Sequence, residues 1–285
     1  MGKSYREELV GVFGCPIDEN PTVVVAKAAF EDLGLPYRYL TVLVKPEDLR
    51  DAVKAVKAMN MKGIHLTIPH KVEVLKYLDE VAGDARIMGA VNTVYVKEGR
   101  LCGENTDGKG FITSLKEEQI EMDGRTAMLL GAGGAARAIA VELANAGVKK
   151  LLIANRPESG RGTELTRLVN EKTETLAEYL CWDHTISVPQ GVDILVNTTN
   201  VGLYPMVDQK PDIDYSSIRK HMTVCDVIPN HPDTLFLKEA RQRGARTIDG
   251  LGMLINQAAI SFYLWTGCRC SRQVMRDALA REYGL

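Results

Sequence analysis

The sequence predicts an α/β protein of two domains, each built on an open sheet, and three observations lead to that class. Apolar runs of strand length alternate with helix-period segments along nearly the whole chain. One alternation, Thr126–Arg156, sets strand, glycine-rich turn, helix and strand within roughly 30 residues. The glycine-containing stretch Asp107–Gly110 then marks a boundary, and 285 residues are enough for two ordinary domains.

In order, residues 9–14 (LVGVFG) read as a strand, followed by a proline-punctuated polar loop, Cys15–Thr22. Val23–Leu33 has helix period and stops at Gly34. Tyr37–Val44, rich in β-branched and aromatic residues, is a strand. Pro46 opens a helix to about Met59, where its missing N–H costs nothing. Gly63–Ile68 is the next strand, ended by Pro69, and His70 starts a helix toward Leu78. A helical segment, Gly83–Met88, precedes a strand at Ala90–Val96, a turn at Gly99 and a strand at Arg100–Glu104. A linking helix, Phe111–Glu118, leads to the strand Met128–Leu130, the helix Ala136–Ala146 closed by Gly147, and the strand Leu151–Ile153. Thr163–Asn170 is helical, and Leu176–Trp182, Asp193–Asn197 and Thr223–Val227 are strands. The helix Leu235–Arg243 ends at Gly244, Thr247–Asp249 is a short strand, and the tail reads as two helices, Gly252–Trp265 and Arg272–Tyr283.

Thr126–Arg156 has the form of a dinucleotide-binding βαβ unit. Gly131 suits the tight turn and Gly133 a close backbone approach to a pyrophosphate, while Gly134 and Ala135 leave the helix N-terminus open for phosphate oxygens. The second strand ends in Asn155-Arg156 where an NAD site usually carries a carboxylate for the ribose. That favours NADP, with Glu158 and Pro157 leaving NAD open.

A net charge of −2 gives no electrostatic footprint for nucleic acid or an acidic membrane, and no apolar run reaches membrane-spanning length. Residues 1–8 are charged and lack a signal-peptide apolar region. Six scattered cysteines include only the Cys268–Cys270 pair, too tight for usual zinc spacing, so no metal site is expected and a reducing, cytoplasmic setting fits best.

Thr67–Lys71 (TIPHK) and Asn105–Gly108 (NTDG) place polar side chains at strand ends, where open α/β sheets bind ligands. Oxidation of an alcohol needs a group to take its proton, a role open to Lys71 with Asp107 as its carboxylate partner. On residue type alone, a surface lysine and a capping aspartate is the favoured reading.

These motifs, with Gly89–Thr93 (GAVNT), Gly103–Gly108 (GENTDG), Gly131–Arg137 (GAGGAAR), Asn155-Arg156, Asn197–Thr199, Asp249–Leu254 (DGLGML), Gln257 and Trp265–Gly267, together resemble the shikimate/quinate dehydrogenase family over nearly the whole length. The resemblance implies a substrate-binding and catalytic domain at 1–107, completed by about 255–285, and an NAD(P)-binding Rossmann domain at 108–254, with the last helix packing back on the substrate domain. It implies Lys71 and Asp107 as the catalytic dyad, and Thr67, Asn92, Asn105 and Gln257 as holders of the substrate hydroxyls. The cofactor residues it assigns are Gly131, Ala132, Gly133, Gly134, Ala135, Asn155, Arg156, Thr198, Thr199, Val227, Gly250 and Met253. A small-molecule substrate and NADP, with NAD as an alternative, are the partners expected of a monomer or homodimer.

Four positions depart from the family pattern. The Ser-x-Ser pair that binds the substrate carboxylate is Asn20 and Thr22 here, the preceding position, usually His, is Glu19, and a Tyr after the Asp-x-Val strand is Pro229. Either Asn20 and Thr22 still hold a carboxylate, giving shikimate or quinate as substrate, or the substrate is a cyclitol-like polyol without one, since a carboxylate facing Glu19 is repelled. A third reading, from another class, is an NADP-binding sensor without turnover, against which the retained Lys71 and Asp107 speak.

Overall fold

The computed structural model describes residues 5–285. The chain divides into two compact units, one running to Thr106 and completed by Ile255–Leu285, the other Asp107–Leu254.

In the first unit β1 (Glu8–Gly14) leads to α1 (Thr22–Asp32), β2 (Tyr37–Leu43), α2 (Leu49–Ala58) and β3 (Gly63–Leu66). The single turn α3 (His70–Glu73) precedes β4 (Glu80–Val81), α4 (Gly83–Met88), β5 (Thr93–Lys97) and β6 (Arg100–Glu104). All six strands form one mixed sheet in the order β2-β1-β3-β5-β6-β4. β1 is parallel to β2 and β3, while β5 is antiparallel to β3 and β6. The carboxyl ends of β1, β3 and β6 therefore share an edge with the amino end of β5. Side chains alternate across the sheet: Ile64 and Leu66 enter an apolar core with Leu49, Val53 and Val94, whereas His65 turns to Tyr39 and Trp265.

The second unit contains α5 (Asp107–Glu117), β7 (Thr126–Leu130), α6 (Gly134–Asn145), β8 (Lys150–Asn155), α7 (Arg161–Lys172) and β9 (Leu176–Cys181). β10 (Ile186–Ser187), β11 (Ile194–Asn197), β12 (Ile213–Asp214), β13 (Thr223–Asp226), α8 (Leu235–Gln242) and β14 (Arg246–Ile248) follow. Six parallel strands lie in the order β14-β13-β11-β7-β8-β9, the doubly wound order whose direction of growth reverses between β7 and β11. Helices cover both faces, which is why these strands are apolar throughout rather than alternating. Leu129 packs with Phe111, Leu115, Ile139 and Leu143 on one face, and Met128 and Leu130 pack with Val224, Phe236 and Leu237 on the other.

α9 (Leu251–Thr266) and α10 (Arg272–Tyr283) close the chain, and the division between units falls inside α9, after Leu254. α10 packs against α1 of the first unit.

Two sequence expectations need correction. The helix from His70 toward Leu78 is one α-turn followed by a 3₁₀ turn at Val74–Tyr77, because Leu78 turns extended and Asp79 N donates to Leu101 O at 2.9 Å. The strand expected from Ala90 begins at Thr93, since Val91 N donates to Lys71 O at 2.7 Å rather than to a neighbouring strand.

Candidate active site

In the first unit, backbone bonds draw the predicted substrate residues to the shared sheet edge. Thr67 N donates to Phe13 O and Cys15 N to Ile68 O, each at 3.0 Å, so the loop after β1 lies along the loop after β3. Lys71 is half-buried, its carbonyl held by Val91 N, and the buried ring of neighbouring His70 bonds Val44 O at 2.8 Å. Leu66 N donates to Asn92 O at 2.7 Å, tying that residue to the end of β3.

Asn92, Asn105 and Gln257 are buried and hydrogen-bonded. Asn92 Oδ1 accepts from Thr106 N at 2.7 Å, and its Nδ2 reaches Thr106 Oγ1 at 3.0 Å and Gln257 Oε1 at 3.5 Å. Ser261 joins the same network, its Oγ lying 2.8 Å from Thr93 Oγ1 and 3.2 Å from Thr106 Oγ1. Asn105 Nδ2 donates to Ala90 O at 3.1 Å. One layer deeper, His65 Nδ1 lies 2.8 Å from the Tyr39 hydroxyl and its Nε2 is buried without a partner. Burial first, and then the Lys71 charge, push the imidazole down to about 3, so it is neutral. Buried amides and hydroxyls grouped at one sheet edge are chemistry suited to a polyhydroxylated ligand.

The first loop is bonded within itself. Asn20 Oδ1 accepts from Thr22 N at 3.0 Å, Asn20 N donates to Ile17 O at 3.1 Å, and Thr22 is 5 % exposed at the start of α1. Asp107, the first residue of α5, is buried in the second unit.

In the second unit the glycine turn sits at the point where the sheet reverses. Gly131 has φ +102°, and a Cβ there would come within 2.9 Å of Thr199 Cγ2, so only glycine fits without strain. Thr198 Oγ1 donates to Leu130 O at 2.7 Å, holding the ends of β7 and β11 together. Gly133 caps α6, the space a Cβ would enter there is empty, and the first turn carries no acidic residue. This is a cradle for a pyrophosphate. Ala132 and Ala135 belong to the same turn and first helical turn.

At the end of β8, Asn155 Nδ2 bonds Ser159 Oγ at 2.7 Å, and Arg156 is exposed. Both line a cavity of about 470 Å³ with Trp182, His184, Thr199 and Lys210. Asp183 and Asp212 line it too and Lys210 is paired with Glu239, so the exposed Arg156 and the lack of a carboxylate at 155 are what fit a 2′-phosphate, and with it NADP. Val227 N donates to Asn197 O at 3.2 Å, and Gly250 lies so close to the Ile228 backbone that a Cβ would sit 2.5 Å from its carbonyl oxygen. Met253 is built into the apolar core, 8 % exposed. Pro229 is half-buried. Asp226 accepts from Asn197 Nδ2, Thr234 Oγ1 and Ile228 N, yet burial outweighs these bonds and raises its carboxyl to about 6.

Sequence reasoning missed Thr106, Ser261, Asp226 and the cavity residues Trp182 and Lys210. Ser261, one turn after Gln257 in an otherwise apolar helix, carried a usable signal. Trp182 and Lys210 carried none, being far apart in sequence. Among the described residues, no group of His, Cys, Asp or Glu could hold a metal ion, and no helix is long and apolar enough to cross a membrane.

Comparison with known proteins agrees with this geometry. The model of the shikimate dehydrogenase substrate binding domain matches residues 12–94, and that of the shikimate 5′-dehydrogenase C-terminal domain matches 250–280. The shikimate dehydrogenase (NADP(+)) of Desulforamulus reducens is 39% identical over 280 residues, covering 97% of this chain and 96% of that protein. Ligand-free 5-ketofructose reductase of Gluconobacter sp. strain CHM43 is 45% identical, with a TM-score of 0.91 over 98% of this chain and 100% of that one. Shikimate 5-dehydrogenase of Listeria monocytogenes, in complex with shikimate and NAD, is 32% identical with a TM-score of 0.90, covering 97% of each chain.

Proposed function

We infer the function from one premise: the chain belongs to the shikimate dehydrogenase family. It is an NADP-dependent oxidoreductase that interconverts a secondary alcohol and a ketone on a shikimate-like polyol, with NAD as the alternative cofactor. The observation that carries this reading is the sheet edge of the first unit, where the backbone of Lys71 is bonded to Val91, next to Asn92 of the buried Asn92–Thr106–Gln257 network. The reaction is common to the relatives named for shikimate and to the neighbour named for 5-ketofructose, since both substrates carry a ketone or hydroxyl flanked by further hydroxyls.

Bound NADP accepts the hydride in the oxidising direction and returns it in the reducing one. Lys71 takes the alcohol proton during oxidation and gives it back during reduction, and Asp107 supports it as the carboxylate of a proton-handling dyad. Thr67, Asn92, Asn105 and Gln257 orient the substrate hydroxyls, so that the reacting carbon is presented in one pose. Arg156 and Asn155 hold the adenosine end of the cofactor, and Gly131–Ala135 its pyrophosphate. Thr198, Val227, Gly250 and Met253 serve the nicotinamide side, while Thr199 lines the cavity at the adenosine end.

A small-molecule substrate and NADP are the only partners this function needs, whether the protein is a monomer or a homodimer. The six cysteines are free thiols, which supports a reducing, cytoplasmic setting. Initial rates with shikimate, quinate and 5-ketofructose, each with both nicotinamide cofactors, test the reading. Turnover of at least one, with NADP(H) preferred, is expected, and cofactor binding without any turnover would turn the reading toward a sensor.

A further inference from the structure

Resting on the dehydrogenase reading, we propose that the Cys15–Thr22 loop recognises the far end of the substrate as an uncharged, hydroxyl-bearing group, so that the preferred substrate is a neutral polyol or keto sugar and not a carboxylic acid.

The first argument is what the loop can still donate. A carboxylate accepts hydrogen bonds and cannot give one, so its binding needs several free donors. Here the amides at the start of α1 are engaged: Thr22 N donates to Asn20 Oδ1 and Val24 N to Pro21 O, each at 3.0 Å. Thr22, 5 % exposed at the start of α1, has its amide taken up by Asn20. With its Oδ1 occupied, Asn20 keeps its carboxamide N–H groups as donors, and exposed Glu19 beside it supplies an acceptor. A donor next to an acceptor matches a hydroxyl, which accepts from one and donates to the other.

The second argument is charge. The loop contains Asp18 and Glu19, and no Lys or Arg occurs from Cys15 to Ala26. Tyr283 at the end of α10, which packs on α1, senses the same field. Its hydroxyl is buried without a partner, and burial first, followed by the charges of Glu282 and Glu19, pushes it up to about 12 with no cation opposing them. A substrate carboxylate brought to this loop meets the like charges of Asp18 and Glu19 with no Lys or Arg in the loop itself to offset them, which is how a site rejects one ligand while admitting its uncharged counterpart. The loop adjoins the reacting end of the site through the bond from Cys15 N to Ile68 O.

The test is equilibrium binding in non-reacting complexes, read by titration calorimetry: shikimate and quinate with NADPH bound, 5-ketofructose with NADP⁺ bound. In the wild type, 5-ketofructose is expected to bind at least about tenfold more tightly than either acid. Glu19→Gln is expected to raise shikimate affinity severalfold without strengthening 5-ketofructose, and Asn20→Ser to move the ranking the same way. Shikimate binding as tightly as 5-ketofructose, binding of neither, or a Glu19→Gln variant with unchanged shikimate affinity would each overturn the proposal. Failure of the underlying dehydrogenase reading appears elsewhere, as cofactor binding by the wild type without turnover of any substrate, and leaves the wild-type binding order unaffected.

Discussion

The Ser261 hydroxyl lies 2.8 Å from that of Thr93, although 168 residues separate them in the chain. Ser261 also reaches Thr106 Oγ1 at 3.2 Å and its own helix at Gln257 O, so one hydroxyl ties α9 to the strand ends that carry Asn92. Ser261→Ala leaves two buried threonine hydroxyls short of a partner and is expected to destabilise the protein by about 1–3 kcal/mol. Because Asn92 then loses part of its support, KM for the substrate is expected to rise more than kcat falls. Urea denaturation and steady-state kinetics on the same preparation check both, and an unchanged urea midpoint would mean the network tolerates a gap.

In the proposed mechanism Lys71 carries the proton step, so its removal is expected to act on the chemical barrier. Lys71→Ala should lower kcat by roughly 10²–10⁴-fold with KM changed only severalfold. Its backbone is held by Val91 N, which the substitution leaves in place, so the fold is expected to persist with an unchanged unfolding midpoint. Equal losses in kcat and KM would remove Lys71 from the proton transfer.

Arg156 is exposed in the cavity at the end of β8, where Asn155 replaces a carboxylate. Arg156→Ala is expected to weaken NADP binding by about tenfold or more while changing NAD affinity little, because in the proposed reading the guanidinium serves the 2′-phosphate that NAD lacks. Fluorescence titration with both reduced cofactors measures the ratio. A parallel loss for the two would assign Arg156 to the adenine ring instead.

What could be read in the sequence was what is local. The turn after β7 announces itself because Gly131, Gly133 and the helix they open lie within a few residues, and backbone conformation alone demands them. The apolar run Met128–Leu130 was also legible as a strand, since parallel strands buried on both faces do not alternate. What stayed hidden was set by distant partners. The two-residue strands β10 and β12 pair across 27 residues with no periodicity to mark them. The polar network is closed by Ser261 from the other end of the chain. At the first loop the residue types Asn20 and Glu19 were visible, but only the bond from Thr22 N to Asn20 Oδ1 reveals that one side of the amide is already occupied.

Asp226 closes the list of groups whose environment makes a measurable demand. Its carboxyl ties Asn197, Thr234 and Ile228 N together at the end of β13, and burial raises it from 3.8 to about 6. Between about pH 4 and pH 6 the folded protein therefore holds a proton there that the unfolded chain has released. A raised carboxyl contributes stability that is fully present below the unfolded value and is lost as pH climbs through the folded one. The shift from 3.8 to about 6 corresponds to a loss of about 3 kcal/mol by neutral pH. Asp226→Asn cannot ionise, so its stability relative to the wild type is expected to improve by that amount between pH 4 and pH 7, even though the amide accepts fewer bonds at every pH. Chemical denaturation of both proteins across that range gives the difference directly. A difference that stays flat would mean that the three hydrogen bonds, and not burial, govern the charge of Asp226.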